Sequence, residues 1–488
     1  MRRAFVLLAW MALALVSMAT AASTRSAEAP AITIGSSTVT LNGPWRFHVG
    51  DDARWASQDY DDSDWETVDL TPAPGAHDGD VGLPGYVTGW SQRGHAGYTG
   101  YAWYRLRVMV DGQGGRPLAL AGPTLLDSTY ELYVDGRLAG GPGDFSGGKA
   151  TVYSVRPSVY PLPQTSGPGT RTYQLALRVW MDPLDAGDES GGIHVAPAIG
   201  SAAAIDALYR AQWRRTFYGY VVDALEPLAF VVLAVVAVSG YRARARSCRG
   251  LGNGGAGDGA ALVTDASRHI GGGAGTADGG GRIVDRGGGS VDGVGRYVWL
   301  AIALVLLALL RVNQVLFYWT PFWSLRNYDM AVTVVLRPLV LGAWVLAWVA
   351  WFRVDGVAWL RLGWLRPVVG LLTLLYILTA FAGRPWIMPD TSATTGSIIT
   401  AVRLAFAALY VWAIIAGLLR DRGVSSWLAA LAAVLVGIGL FATELNALGI
   451  PGIWFPFGVG VARGQYAYAA FIATLFAILA TQRRPRTR

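Results

Sequence analysis

The stretch from Leu41 to Leu70, LNGPWRFHVGDDARWASQDYDDSDWETVDL, sets three tryptophans and a histidine among seven aspartates and one glutamate. Carboxylates at this density could do one of three things. They could ligate a cation, serve as the acid and base of a glycosidase, or close the turns of a scaffold whose aromatic rings meet a sugar. A calcium loop needs oxygen ligands at alternate positions, glycine at the sixth and an acidic residue at the twelfth. Asp59, Asp61 and Asp64 approximate the ligands, but the sixth position is Asp64 rather than glycine and the twelfth is Leu70. A glycosidase needs two carboxylates facing a sugar across a pocket, and the spacing singles out no such pair. The expectation is therefore structural, with Asp62, Ser63 and Asp64 making a turn and Trp65 plugging a sandwich.

Other stretches that could carry chemistry fail on context. Gly187-Asp188-Glu189-Ser190-Gly191-Gly192 is similar to the nucleophile region of trypsin-like proteases, with an inserted glutamate, and no histidine-bearing partner motif precedes it. Gly252, Gly254 and Gly257 match a dinucleotide fingerprint by letter, but the strand and helix that must flank one are missing. His48, His77, His95, His194 and His269 lack metal-ligand spacing, and the single Cys248 excludes internal disulfides and cysteine-based zinc sites. No metal or cofactor is expected. The better binding candidate is the glycine-rich loop from Pro72 to Gly100, where Trp90, Arg93, His95 and Tyr98, with Tyr101 just beyond, would form an aromatic and polar rim of the kind that holds small ligands.

The elements that would position this loop are strands. STVTL, AWYRLRVMV, PLALAG, TYELYVDGRLAG, ATVYSV and TYQLALRVW are short alternating runs divided by turn signals. Asp111-Gly112 and Asp135-Gly136 are the strongest hairpin turns. The pattern predicts an all-β sandwich over residues 31–200, with Trp103, Leu106, Leu132, Val134, Leu175, Leu177 and Val179 in its core.

The motifs Leu41-Asn42-Gly43-x-Trp45-x-Phe47, Asp62-Ser63-x-Trp65, Tyr101-x-Trp103-Tyr104-Arg105 and Tyr133-Val134-Asp135-Gly136 occur in an order and spacing that resembles the jelly-roll sugar-binding domain of family 2 glycoside hydrolases. The resemblance covers about 150 residues and implies a galactose-binding-like fold. A carbohydrate is one of several ligands such a fold takes, and the catalytic barrel of those hydrolases has no counterpart here.

Composition places the rest of the chain in a membrane. Hydrophobic residues make up 53% of the sequence and charged residues only 15%. Residues 31–206 hold 20 acidic against 11 basic side chains, so the formal charge of +7 comes from basic residues flanking later apolar runs. That is membrane topology, not a nucleic-acid face. Residues 1–21 read as a secretory signal, with Arg2 and Arg3 ahead of an apolar run that ends at Ala19-Thr20-Ala21. Seven later runs are long enough to span a bilayer: 217–240, 297–318, 329–352, 364–383, 396–419, 425–447 and 466–482. With the acidic domain exported, fourteen arginines fall on inner flanks and six on outer ones, as the positive-inside rule requires. Trp319, Trp323, Trp386 and Trp454 then mark outer ends, and Trp359, Trp364 and Trp427 inner ones. Residues 241–296, where Gly250 to Gly295 contains eighteen glycines, are expected to be a disordered cytoplasmic loop, and 483–488 a basic cytoplasmic tail.

Six charges lie inside these spans: Asp223 and Glu226 in the first, Arg311 in the second, Arg337 in the third, Arg403 in the fifth and Glu444 in the sixth. Charges in hydrocarbon pair or line a watery cavity, so an outward-facing polar cluster is expected. The fold class is thus an exported all-β sandwich followed by an all-α seven-helix bundle.

This assembly resembles the bacterial seven-transmembrane receptors with diverse intracellular signalling modules. In the membrane half the likeness rests on architecture. The resemblance implies a non-enzymatic inner-membrane receptor in contact with lipid, taking a glycan or small molecule in the periplasm and acting on a cytoplasmic signalling protein. Members of that family usually carry an output module after the last span, whereas here only TQRRPRTR follows, so either a separate chain receives the signal or the chain is not a signal transducer. A transporter or accessory subunit for envelope polysaccharide is the alternative, and a membrane-anchored glycosidase the third.

Overall fold

The computed structural model describes residues 31–33, 37–77, 84–112, 116–164, 169–253, 292–354, 362–388, 392–448 and 463–482. The expected signal 1–21, most of the glycine-rich tract and the tail 483–488 lie outside them.

The first half is a sandwich. Its strands are β1 (Ala31–Thr33), β2 (Val39–Thr40), β3 (Trp45–Val49), β4 (Glu66–Val68), β5 (Gly100–Gly112), β6 (Leu118–Ala121), β7 (Leu125–Leu126), β8 (Thr129–Val134), β9 (Arg137–Gly140), β10 (Val159–Pro161), β11 (Gly169–Met181), β12 (Ile193–Val195) and β13 (Ala198–Ser201). One sheet runs in the order β4-β3-β5-β11-β8-β9, with β1 parallel to the end of β5; the other runs β10-β6-β13-β2. The antiparallel pair β5–β11 is its spine, in register from Gly100 opposite Met181 to Gly112 opposite Gly169.

Period-two alternation along this pair separates two buried faces. Tyr104, Leu106, Val108, Leu175, Leu177 and Val179 point between the sheets, where Leu120, Tyr130 and Ile199 meet them. Trp103 and Ala176 point the other way, into a smaller cluster with Ala56 and Trp65, against which Trp55, Tyr60 and Tyr133 pack. Trp65 therefore covers the outer face of the large sheet instead of plugging the sandwich. Two other sequence expectations change. Asp111-Gly112 ends β5 and pairs with Thr170 and Gly169, because the next strand, β6, belongs to the opposite sheet. ATVYSV is not a strand. Only Thr151 makes an isolated bridge, to Asp144, because this segment leaves the sandwich to meet the helices.

The second half comprises α1 (Ala202–Asn253), α2 (Asp292–Trp319), α3 (Leu325–Asp329), a π-helical stretch Met330–Leu336, α4 (Arg337–Trp351), α5 (Leu365–Ala382), α6 (Ser392–Arg420), α7 (Val424–Leu440), α8 (Ala442–Ala447) and α9 (Arg463–Thr481). Six of these spans are long and apolar enough to cross a membrane. The seventh, α7, has 17 residues and is followed past Phe441 by α8. Helix α1 continues as helix through Asn253, into the segment expected to be disordered. Trp344, Trp348, Phe406 and Phe471 fill the bundle core, while Leu228, Val235, Leu371, Leu378 and Leu419 are exposed on its flanks. Large apolar side chains on the outside of a bundle are what a lipid solvent allows.

Two joints hold the halves together. Helix α1 starts at Ala202, directly after β13, and Ile205 buries itself against Ala119, Ala121 and Ala198 on the outer face of the smaller sheet. Opposite, the Leu325 amide donates to the Val152 carbonyl at 2.8 Å, and Arg156 Nη1 donates to the Trp319 carbonyl at 2.9 Å.

Candidate functional site

Five of the seven aspartates of the opening stretch, Asp51, Asp52, Asp61, Asp62 and Asp69, hold parts of the fold together. Arg105, fully buried on the outer face of the large sheet, donates from Nε to Asp62 Oδ2 at 2.7 Å and from its Nη atoms to the carbonyls of Trp55, Ser57 and Tyr60. Asp51 accepts from Trp103 Nε1 at 3.1 Å and pairs with Arg178 at 2.6 Å. Asp52 caps the short 3-10 turn Ala53–Ala56, and Asp61 and Asp69 accept from the amides of Ser63 and Thr71. The Ser63 hydrogen bonds hold the Asp61 carboxyl below its ordinary range. Among the described residues no group of three metal-ligating side chains forms.

The predicted ligand rim does not assemble. Trp90 is 1% exposed and belongs to the inter-sheet core, tilted against Phe47 at 5.8 Å with its Nε1 donating to the Tyr98 carbonyl. It is seated by Gly191 and Gly192, at φ 109° and 80°. A β-carbon at Gly191 would stand 2.3 Å from the Trp90 ring nitrogen, so the protease-like motif is a socket for tryptophan. His95 pairs with Glu66 at 3.0 Å, Arg93 donates to the Asp69 carbonyl at 3.2 Å, and the Tyr98 hydroxyl donates to the Tyr101 carbonyl at 2.6 Å. These bonds tie the loop down. Tyr101 lies elsewhere, with Trp180 and Phe145 in the patch that receives Leu325 from the bundle.

That patch adjoins an acidic corner that the sequence did not reveal. Ser128 donates to Asp185 Oδ2 at 2.5 Å. Burial pushes the Asp185 carboxyl up to about 6, opposed by the Ser128 bond and helped by Asp127, Asp182 and, from the bundle, Asp329. Asp329 itself pairs with Arg384 at 2.5 Å.

Beneath this corner the six charges of the spans form a layer in the sandwich-proximal half of the bundle. Arg311 donates from Nε to Glu226 Oε2 at 2.6 Å and from Nη2 to Asp223 Oδ1 at 3.1 Å. Gln465 of α9 donates to the same Asp223 oxygen at 2.5 Å, and the Arg311 guanidinium lies 5.7 Å from the centre of the Tyr468 ring. Arg403 binds Glu444 through both Nε and Nη2, the latter at 2.6 Å, and donates to the Tyr376 hydroxyl at 3.3 Å. Arg337 is half-buried and, among the described residues, has no hydrogen-bond or ion-pair partner. Sequence reasoning missed Gln465, Tyr376 and Tyr468, whose only signal is a polar tip within an apolar run.

Three helix irregularities flank the layer. The π-helical Met330–Leu336 runs directly into Arg337, and Phe441 separates α7 from α8 three residues before Glu444. Pro227, which follows Glu226, leaves the Asp223 carbonyl without the amide donor an unbroken helix would supply. The arrangement offers fixed charges, phenols and loosened backbone, which suit binding and coupled movement.

No family profile and no curated protein sequence matches the chain. Among solved structures it is similar to a β-glucuronidase from Bacteroides uniformis (21% identity, 33% of this chain and 17% of that one, TM-score 0.23). It is likewise similar to a glycosyl hydrolase family 2 member from Bacteroides cellulosilyticus (19% identity, 34% and 20%, TM-score 0.22). A β-glycosidase from Bacteroides vulgatus gives 20% identity, 33% and 20% coverage, and a TM-score of 0.22. The chain thus spans a fifth or less of the length of these enzymes.

Proposed function

We propose that the chain is a non-enzymatic inner-membrane receptor whose periplasmic sandwich binds a carbohydrate or other small ligand and passes its state through the helices to a cytoplasmic signalling protein. The observation that carries this reading is that α1 runs, with Pro227 inside it, from the last strand of the sandwich through the bundle to Asn253. A helix that begins packed on the small sheet and has no linker before the membrane transmits a change in the sandwich as motion of a rod. The arginine asymmetry of the flanks supports the orientation, and the sequence resemblance of the LNG-W-F and WYR motifs makes carbohydrates the first ligands to test.

The test uses the full chain in lipid nanodiscs, labelled at Cys248 with an environment-sensitive fluorophore and titrated with a panel of mono- and oligosaccharides. Saturable binding with a change in Cys248 fluorescence is expected. Binding that leaves the fluorophore silent counts against a receptor, and release of free sugar makes the chain a glycosidase. The π-helical stretch and the break at Phe441 also suit a transporter, in which irregular helices line a substrate path. Uptake of a bound sugar into proteoliposomes would favour that second reading.

A further inference from the structure

Of the six charges in the layer, five are paired, and Arg337 has no ion-pair partner among the described residues. Its depth makes this notable. Arg337 lies twelve residues beyond Leu325, which touches the sandwich, and well inside the apolar span Leu325–Trp351. A guanidinium in the hydrocarbon is costly unless a partner or water meets it. Helical side chains lean toward the N-terminus of their helix, here toward the sandwich. Glu444 is already engaged by Arg403 through both of its oxygens.

The layer therefore separates charge. Arg311 holds two carboxylates at the α1–α2 end, and among the described residues a positive charge without an ion-pair partner remains at Arg337. The π-helical turn just before Arg337 gives the backbone there a geometry that recurs at functional sites.

We propose that Arg337 anchors an anion site in the sandwich-proximal half of the bundle, for a head group bearing a carboxylate or phosphate. The forked guanidinium meets either group through two parallel hydrogen bonds. A soluble oxyanion and an acidic lipid present the same chemistry. The site does not depend on the receptor reading, since a sandwich that binds no sugar would leave it intact.

The experiment measures thermal unfolding of the full chain by intrinsic tryptophan fluorescence in two settings. In neutral detergent, inorganic phosphate is titrated against chloride at equal ionic strength. In nanodiscs, phosphatidylcholine alone is compared with phosphatidylcholine containing phosphatidylglycerol. Stabilisation by phosphate assigns a soluble anion, and stabilisation by phosphatidylglycerol assigns a lipid. Arg337→Gln should weaken the responsive arm at least tenfold. In the parent chain, phenylglyoxal modification of Arg337, followed by mass spectrometry, should slow at least tenfold when the stabilising anion is present, so the proposal stays testable even where the variant does not fold. Absence of stabilisation in both settings, an unchanged response in Arg337→Gln, or unprotected modification of Arg337 would overturn it.

Discussion

Arg311 of α2 grips Glu226 of α1 at 2.6 Å, one residue ahead of Pro227. The ion pair clamps α1 where its own backbone is weakest, because proline supplies no amide to the preceding turn. Asp223 completes the clamp on the same arginine.

Removing the clamp should cost more than removing its counterpart. Arg311→Leu strands two buried carboxylates and Arg403→Leu strands one, and breaking a buried pair costs about 3–5 kcal/mol. Both variants should lower the unfolding midpoint in detergent, Arg311→Leu further. The double variant Arg403→Leu/Glu444→Leu should recover most of the loss. Equal midpoints for the parent and both single variants would mean that the layer contributes nothing to stability.

Trp90→Ala should unfold the sandwich instead of selectively abolishing ligand binding. Truncating a buried tryptophan typically costs about 3–5 kcal/mol. Gly191→Ala should act in the same direction, because its backbone stands at φ 109° and the added methyl would strike the Trp90 ring. Near-ultraviolet circular dichroism of both full-length variants reads the outcome, and a retained tryptophan signature would refute it.

Asp185 should make the joint between sandwich and bundle sensitive to pH. Its folded-state value of about 6 lies above the ordinary 3.8, so the folded chain holds a proton that the unfolded chain gives up first. The associated stability is fully present below about pH 4 and is lost as the pH rises through 6. Unfolding midpoints of the parent minus those of Asp185→Asn should fall across that window and level off above it. A difference that stays flat from pH 4 to 7 would remove Asp185 as the cause.

Orientation is testable at the chain's single cysteine, Cys248. Arg242, Arg244, Arg246 and Arg249 surround it in sequence, and the positive-inside rule puts them in the cytoplasm. A membrane-impermeant maleimide should label it only after spheroplasts are lysed. Labelling of intact spheroplasts would reverse the topology.

The helical half was legible because a bilayer demands runs of about twenty apolar residues, a signal too long to arise from a soluble core. The sandwich strands were legible from alternation, but alternation does not say which buried face a residue joins. Trp103 and Leu106 both read as core, yet they lie on opposite faces of one sheet. Trp90 looked like a rim residue because its neighbours are glycines and polar side chains. Its socket comes from Gly191 and Gly192, a hundred residues away, and no local pattern reports that. The charges inside the spans were visible as residues but not as pairs. Arg311 finds Glu226 across 85 positions of sequence, a choice made by helix packing alone.

The direct passage from Ser201 of β13 to Ala202 of α1 has a mechanical meaning. With no slack between them, the small sheet and the helix share any torque. If Pro227 acts as the fulcrum, the segment to Asn253 is a lever arm of roughly 39 Å. A tilt of about 5° there sweeps the far end through roughly 3 Å, a displacement on the scale of the helix shifts by which packed bundles change state. The Arg311–Glu226 grip at the fulcrum sets how freely that arm swings.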